Sequence, residues 1–178
     1  MATAVRSGGI ARGPITVSIM LATTMYAIDG TIANVALPHM QGGLSAGSDQ
    51  ITWVLTSLIV AQALATPLVG WVADRIGRKR LLLISIASFT TASAACGLAL
   101  NLEQMILFRV IQGLAGAAFV PLSQTILFDI NPPEKHAQAM SIFGAGVVLG
   151  PILGPFLGGW LTETLNWRWV FLVNLPVG

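Results

Sequence analysis

Residues 51–100 read ITWVLTSLIVAQALATPLVGWVADRIGRKRLLLISIASFTTASAACGLAL, and this stretch decides the fold. It contains two apolar segments, Ile51–Trp71 and Leu81–Leu100, on either side of a short charged turn. Each segment has about 20 residues, which is the length that an α-helix needs to cross the ~30 Å hydrocarbon core of a membrane. The stretch therefore predicts two membrane-spanning helices joined by a tight loop.

Outward from this stretch the same pattern repeats. Complete apolar spans run over Pro14–Leu37, Gln104–Phe128 and Gln138–Leu161, and a sixth begins near Trp169. The chain of 178 residues is 54% hydrophobic and 9% charged, whereas soluble domains are about 25% charged. This composition excludes an ordinary soluble domain and a disordered chain. We predict an all-α, polytopic transmembrane helix bundle surrounded by membrane lipid.

Several function classes are excluded by what the sequence lacks. The single cysteine, Cys96, provides neither an internal disulfide nor a metal cluster. The net charge is only +2, and no basic stretch is interleaved with aromatic residues, so nucleic acid is not expected as a partner. No G-x-x-x-x-G-K-[ST] phosphate loop and no H-E-x-x-H or G-x-S-x-G motif occurs. We therefore expect no cofactor, no ATP hydrolysis and no enzyme activity.

The distribution of Lys and Arg predicts the orientation. Of nine such residues, seven lie in the segment 1–13 and in the second and fourth loops, while the other loops hold only Arg168. The positive-inside rule then places the amino terminus in the cytoplasm. The sixth span, 169–178, is half as long as a membrane crossing, so we expect a cytoplasmic segment 1–13 and helices over 14–178 of a longer protein.

The second loop, Gly70–Arg80, carries four cations and one acid. Topogenic charge explains the cations but leaves Asp74 unexplained. The string GWVADRIGRKR resembles the G-x-L-A-D-R-x-G-R-K-R loop of the major facilitator superfamily, with Val72 in place of Leu. The resemblance implies the amino-terminal six-helix half of a major facilitator fold, with the sixth helix incomplete. It also implies a cytoplasmic latch that biases the transporter toward its outward-open state, formed by Gly70, Asp74, Arg75, Gly77 and Arg78.

The fourth span places Arg109, Gln112, Gly113 and Gly116 on one helical face. An arginine inside the membrane costs at least ~2.5 to 3.5 kcal/mol, so it faces a cavity or an acid, or pairs with backbone carbonyls as a structural residue. The string resembles the superfamily motif R-x-x-Q-G-x-G-A-A, with Ala115 in a position where Gly is usual. The resemblance implies that Arg109 takes part in proton transfer.

The fifth span carries a glycine and proline pattern. Glycines every fourth residue allow a neighbouring helix to approach closely, which is a sufficient explanation by itself. The prolines remove N–H donors and favour a bend. The pattern resembles the G-x-x-x-G-P-x-x-G-P-x-x-G-G signature of superfamily antiporters, which implies a helix at the interface between the two halves. The residues that carry it are Gly146, Gly150, Pro151, Gly154, Pro155 and Gly158.

Two strings, one at the end of the first apolar span and one at the start of the sixth, extend the resemblance to a particular family within the superfamily. Residues 28–38 read IDGTIANVALP and residues 167–178 read WRWVFLVNLPVG. They resemble the L-D-x-T-I-V-N-V-A-L-P and W-R-W-I-F-x-I-N-V-P-I-G strings of the fourteen-helix drug:proton antiporters, the EmrB/QacA type. Gly30, where Ser or Thr is commoner, departs from the pattern beside the acid.

Two charges, Asp29 and Arg109, fall inside the spans. Their distances in sequence from Pro38 and Gln104 place them ~13 and ~8 Å deep in the same half of the membrane. We hypothesise that they are coupled, so that a change in water access or separation binds and releases a proton. The alternative is a fixed structural ion pair that never titrates.

The helix face around Asp29 is small and apolar, which suits a lipophilic ligand. Met25 and Tyr26 are candidate contacts to a lipophilic cation whose charge Asp29 neutralises, although helix packing explains them equally well. Phe119 and Gln124 are weaker candidates of the same kind.

The sequence thus predicts a multi-pass protein of the bacterial cytoplasmic membrane that exports lipophilic drugs or toxic compounds against inward protons. The EmrB type implies a periplasmic adaptor and an outer-membrane channel as partners. Two alternatives stay open. One is a dedicated exporter of a metabolite or siderophore with the same fold, and the other is a truncated membrane protein that does not transport.

Overall fold

The computed structural model describes residues 12–178, so Arg6 and the segment 1–11 lie outside the described residues. Within that range the chain is helical and contains no strand. Five helices are long and apolar enough to cross a membrane. They are α1 (Arg12–Gly43), α2 (Ser48–Ile76), α3 (Arg78–Leu98), α4 (Leu102–Ile130) and α5 (Pro133–Thr164), and a short α6 (Trp169–Leu172) follows.

The helices are longer than the apolar spans that predicted them. The first span was predicted to end at Leu37, but α1 continues through Pro38 to Gly43. Polar helix ends extend beyond the hydrocarbon layer, so hydropathy alone underestimates helix length. Prolines instead break the regular pattern inside two helices. A 3₁₀ turn, Thr66–Leu68, interrupts α2 around Pro67, and α4 is interrupted at Ala117 and Ala118. The second break lies just before Pro121, whose ring removes the N–H that would bond to Ala117.

Two loops show why the chain reverses where it does. Gly77 alone separates α2 from α3, and its φ of +91° is a conformation that favours glycine. At the other end of the bundle, Arg168 Nη1 donates to the carbonyls of Gly97 (3.0 Å) and Ala99 (2.6 Å). This arginine therefore caps carbonyls at the end of α3, where a positive charge also interacts favourably with the helix dipole.

Helix α5 packs against α1 through its glycines. A Cβ atom at Gly146 would lie 2.5 Å from Met20 Cε, and one at Gly158 would lie 2.9 Å from the Ile32 carbonyl. At Gly150 and Gly154 a Cβ atom would collide with Ala27 and Thr31. The Thr31 hydroxyl bonds across this contact to the Gly150 carbonyl at 3.0 Å. The glycine stripe thus serves close packing within the bundle, whereas Pro151 and Pro155 lie on the exposed side of α5.

The buried core has three parts. One cluster lies at the end of the bundle that contains Gly77, and it includes Ile19, Leu82 and Leu127. Another lies at the opposite end and includes Met40 and Phe171. A third, smaller cluster is formed by Ala22, Met25, Phe89 and Phe119. The polar site described next is enclosed by apolar packing of this kind.

Candidate functional site

Asp29 of α1 and Arg109 of α4 form an ion pair. Arg109 Nη1 lies 2.7 Å from Asp29 Oδ2, and each side chain is only 1% exposed. The pair is 80 residues apart in sequence but lies at matching depth in its two helices. Because neither charge reaches solvent, each depends on the other for compensation.

Gln112 lies one helical turn after Arg109 and contacts both members of the pair. Its Nε2 donates to Asp29 Oδ1 at 2.9 Å, and its Oε1 accepts from Arg109 Nη1 at 2.9 Å. An amide suits this position because it offers a donor to the carboxylate and an acceptor to the guanidinium at the same time. The three predicted residues Asp29, Arg109 and Gln112 are thus brought together in one network.

Two further residues complete the network, and the sequence analysis gave them no role. Asn174, just after α6, donates from Nδ2 to Asp29 Oδ1 at 2.7 Å and to Ser93 Oγ of α3 at 2.9 Å. Ser93 Oγ in turn donates to the Phe171 carbonyl at 2.9 Å. A signal for Asn174 was present, since it is the one strongly polar side chain in the apolar run 170–178. Ser93 gave no signal, because serine is common in membrane helices.

The Nε end of the Arg109 guanidinium forms fewer hydrogen bonds than its Nη1 end. Arg109 Nε is buried and has no hydrogen-bond partner within residues 12–178. The guanidinium carbon lies 4.9 Å from the centre of the Phe171 ring, which offers a cation–π contact. Within residues 12–178 the Nε–H of the guanidinium therefore has no acceptor.

A cavity of about 340 Å³ adjoins the ion pair. Asp29 and Arg109 contribute to its wall, together with apolar side chains such as Leu55, Leu58 and Ile59. The polar side chains on the wall are Tyr26, Thr31, Asn34 and Gln62. Such a combination of an apolar lining with a few polar groups is typical of sites for small organic ligands.

Tyr26 and Met25 occupy different surroundings. The Tyr26 ring stacks on Phe119 with centroids 5.5 Å apart, meets Phe89 edge-on at 6.1 Å, and its hydroxyl accepts a bond from Gln62. It lines the cavity. Met25 is 2% exposed and lies in the core cluster instead.

The other candidate site residues also divide into those that line the cavity and those that pack inside the bundle. Phe119 is fully buried beneath Tyr26, and Gln124 is half-buried on α4 away from the cavity wall. Pro151 of α5 lines the cavity, whereas the glycines of the same helix face α1. Packing therefore accounts for Met25, Phe119 and the glycine stripe, and the cavity wall contains Tyr26 and Pro151.

The loop between α2 and α3 lies at one end of the bundle. Arg78 Nη1 contacts Asp129 Oδ2 of α4 at 2.6 Å, and these side chains are 48% and 55% exposed. Arg75 lies over the Trp71 ring at 3.8 Å from its centre. Asp74 is exposed and forms no ion pair with any residue in the described range 12–178, and Gly70 is exposed within α2.

Comparison with known proteins shows which family the chain belongs to. The family model of the Major Facilitator Superfamily matches residues 19–178. The chain is 45% identical over 164 residues to the multidrug export protein EmrB of Haemophilus influenzae, which covers 92% of this chain and 32% of that protein. It is 44% identical over 164 residues to the probable multidrug resistance protein EmrY of Escherichia coli, with the same coverage of 92% and 32%. It is 43% identical over 170 residues to the fatty acid resistance protein FarB of Neisseria gonorrhoeae, covering 96% and 34%. The chain thus spans about a third of the length of these relatives.

Solved structures agree on the fold. A bacterial homolog of the human lysosomal transporter Spinster, in its inward-facing and occupied conformation, has a TM-score of 0.79 at 24% identity, over 93% of this chain and 42% of that one. The proton:xylose symporter XylE bound to 6-bromo-6-deoxy-D-glucose has a TM-score of 0.79 at 16% identity, over 92% and 42%. At these identities the likeness concerns the fold. The chain is a multi-pass membrane protein that belongs to the Major Facilitator Superfamily.

Proposed function

We propose that the protein exports lipophilic drugs or other toxic compounds across the bacterial cytoplasmic membrane in exchange for protons. The observation that carries this proposal is the buried pair of Asp29 and Arg109 beside the cavity. An ionisable pair inside a membrane protein is a candidate proton site by default, because desolvated charges are retained where they act. The names of the relatives, which include two multidrug proteins, support the same function.

The position of Asp29 supports the proposed proton coupling. Its carboxylate is 1% exposed and lies at the wall of a cavity of about 340 Å³, which is within the size range of sites for small organic ligands. A conformational change that separates it from Arg109, or admits water, changes its affinity for a proton. Asp29 and Arg109 are thus proposed as the proton-coupling pair, Gln112 as the residue that orients both, and Tyr26 as a substrate contact.

The cavity also bears on the substrate class. Arg109 already neutralises Asp29, so a lipophilic cation binds to this carboxylate only if it displaces the arginine. A neutral lipophile meets no such barrier and packs against Leu55, Ile59 and the Tyr26 ring. We therefore extend the proposed substrates from lipophilic cations to uncharged lipophilic compounds.

The proton gradient supplies enough free energy for this export. A proton entering down ~100 mV releases ~2.3 kcal/mol, and each unit of pH difference adds ~1.4 kcal/mol. Their sum of ~3.7 kcal/mol sustains a gradient of several hundredfold for a neutral substrate. No nucleotide or other cofactor is needed.

Three further parts of the proposal, which are the latch, the role of α5 and the partners, depend on the family resemblance, whereas the orientation depends on the distribution of charge. The loop residues Asp74, Arg75 and Arg78 form the cytoplasmic latch, with Gly70 and Gly77 shaping it, and Pro151 and Pro155 give α5 its role between the two halves. The amino terminus lies in the cytoplasm, since the cationic loop is at the same end of the bundle as Pro14. A periplasmic adaptor and an outer-membrane channel are the proposed partners.

The test measures proton release in everted membrane vesicles that contain the full-length protein. A pH gradient is imposed, a panel of lipophilic cations and neutral lipophiles is added, and dissipation of the gradient is followed by fluorescence. We expect dissipation with several compounds and its loss in Asp29→Asn. Asp49→Asn removes an exposed carboxylate at the start of α2 and is the matched control, with expected wild-type behaviour. Full proton-dependent efflux by Asp29→Asn would contradict the proposed coupling site.

A second candidate is a dedicated exporter of amphiphilic acids, and the 43% identity to a fatty acid resistance protein favours it. Adding a long-chain fatty acid to the same vesicles separates the two. Dissipation by the fatty acid alone, beyond that in vesicles containing Asp29→Asn, supports the dedicated exporter, and dissipation by the chemically varied panel supports the multidrug function. No response to any compound supports a protein that does not transport.

A further inference from the structure

Asn174 connects the segment that follows α6 to the ion pair. It is 2% exposed, and its amide nitrogen uses both of its protons, one on Asp29 Oδ1 (2.7 Å) and one on Ser93 Oγ (2.9 Å). Through these bonds it ties the chain after α6 to α1 and to α3. Its amide group must present nitrogen, not oxygen, to a carboxylate, which accepts but does not donate.

The two oxygens of the Asp29 carboxylate are not equivalent. Oδ1 accepts two bonds, from Gln112 Nε2 and from Asn174 Nδ2, so both of its lone-pair positions are occupied. Oδ2 accepts one bond, from Arg109 Nη1, and keeps one position open. A proton that reaches the carboxylate therefore finds its place on Oδ2.

The other titratable groups near Asp29, within residues 12–178, are Arg109 on α4, Cys96 on α3 and Tyr26 on α1 itself. Cys96 and Tyr26 are uncharged at neutral pH. In the described part of α2, α5 and α6 no charged side chain faces the carboxylate. Within residues 12–178, Arg109 is thus the charged group that contacts Asp29.

We propose that Asn174 is a positioning residue for proton coupling: with Gln112 it occupies Oδ1, so that proton uptake occurs at Oδ2, the oxygen that binds Arg109. This inference rests on the proposed function. One proton enters and forms the Oδ2–H bond, the carboxylate becomes neutral, and Arg109 keeps its own protons and its positive charge. The proton and Arg109 Nη1 then share one oxygen, and because the carboxyl group is neutral while the proton is bound, the ion pair with Arg109 is lost.

The test replaces Asn174 in the full-length protein and measures two quantities. The first is the pH midpoint of Asp29 protonation, followed by the carboxyl C=O band in infrared difference spectra and assigned by its loss in Asp29→Asn. The second is the number of protons released per substrate exported in everted vesicles. In Asn174→Leu one N–H donor is lost and Oδ1 opens. We expect the midpoint to differ from that of the wild-type protein, and proton release to become partly independent of export.

Two controls separate this role from simple packing. Ser93→Ala breaks the tie between Asn174 and α3 but leaves the bond to Asp29, so we expect a smaller shift than in Asn174→Leu. Asn166→Leu makes the same chemical change at an exposed loop position, where we expect the wild-type midpoint. If Asn174→Leu fails to reach the membrane, Asn174→Ser replaces it, because the shorter hydroxyl does not span the distance to Asp29.

Different outcomes test the role of Asn174 and the proposed function. An unchanged midpoint in Asn174→Leu or Asn174→Ser, with coupling lost in Asp29→Asn, overturns the role of Asn174 and leaves the proposed function standing. Equal shifts in Ser93→Ala and Asn174→Leu also overturn it, since both then act through packing. Coupling retained in Asp29→Asn overturns the proposed function itself.

Discussion

The protein contains two Arg–Asp pairs of nearly the same geometry in very different surroundings. Arg109 and Asp29 meet at 2.7 Å with each side chain 1% exposed, and Arg78 and Asp129 meet at 2.6 Å with about half of each side chain exposed. Water screens the second pair and is excluded from the first. The distance between the charged atoms therefore says little about how much either pair contributes to stability. The burial of the side chains decides that contribution.

The difference also extends to the neighbours of each pair. The buried carboxylate accepts two further bonds from Gln112 and Asn174, whereas within residues 12–178 the exposed pair has only the contact between Arg78 and Asp129. Buried polar groups need such partners because water does not satisfy them. A network of this kind is sensitive to the loss of any one member. The comparison predicts effects of unequal size.

The largest effect is expected when the buried pair is broken. Arg109→Leu leaves Asp29 charged and unpaired inside the bundle, which should lower the free energy of unfolding by about 3 to 5 kcal/mol. Thermal unfolding of the full-length protein in detergent measures this change. The double variant Arg109→Leu with Asp29→Leu should recover most of the stability without recovering transport. If the double variant is as unstable as the single one, an unpaired charge is not the cause.

A smaller effect is expected when the charge is kept and the geometry changed. Arg109→Lys retains a cation but replaces the planar guanidinium by a point charge, which does not reproduce the paired bonds to Asp29 and Gln112. We expect export in everted vesicles to fall about tenfold or more, in keeping with the loss of one charge-assisted bond. Export at the wild-type rate would show that charge alone is sufficient. Protein levels in the membrane, measured by immunoblot, provide the control.

The exposed pair should respond less. Asp129→Asn removes the charge opposite Arg78 but leaves both groups in contact with water, so we expect a change of about 0.2 to 1 kcal/mol in stability. The same unfolding measurement as for Arg109→Leu checks this value. A loss as large as that of the buried pair would contradict the comparison. Any effect on transport beyond this loss would indicate the latch role proposed for the loop.

Salt offers the finest distinction between the pairs. Raising the ionic strength from about 0.01 M to 1 M shortens the Debye length from ~30 to ~3 Å, which screens the exposed charges but not the buried ones. The stability difference between wild type and Asp129→Asn should therefore shrink toward zero. The difference between wild type and Arg109→Leu should stay nearly constant. Parallel unfolding curves at both salt concentrations measure this.

The sequence was a good guide to which segments form membrane-length helices and which charges those helices carry. Hydropathy located five spans, and counting residues from the helix ends placed Asp29 and Arg109 in the same half of the membrane. The same counting identified Gln112, because residues three apart on a helix share a face. These inferences depend on local geometry along one helix, which the sequence specifies directly.

Other features depended on contacts between distant segments. No spacing connects Asn174 with Asp29, 145 residues away, or with Ser93 on a third helix. The sequence also did not separate Met25, which packs in the core, from Tyr26, which lines the cavity one residue later. Neighbouring residues on a helix point about 100° apart, and only the positions of the other helices decide what each one meets.

By itself the sequence determined the class of protein, its membrane-spanning helices and the two charges that those helices carry. It did so because the bilayer imposes one length and one polarity on every span, and a charge within such a span stands out. Only the tertiary structure decided that the two charges meet, that Gln112 and Asn174 occupy one oxygen of the carboxylate, and that the α5 glycines face α1. Those facts depend on how helices pack side by side, where close contact between backbones and the pairing of buried polar groups select one arrangement among many.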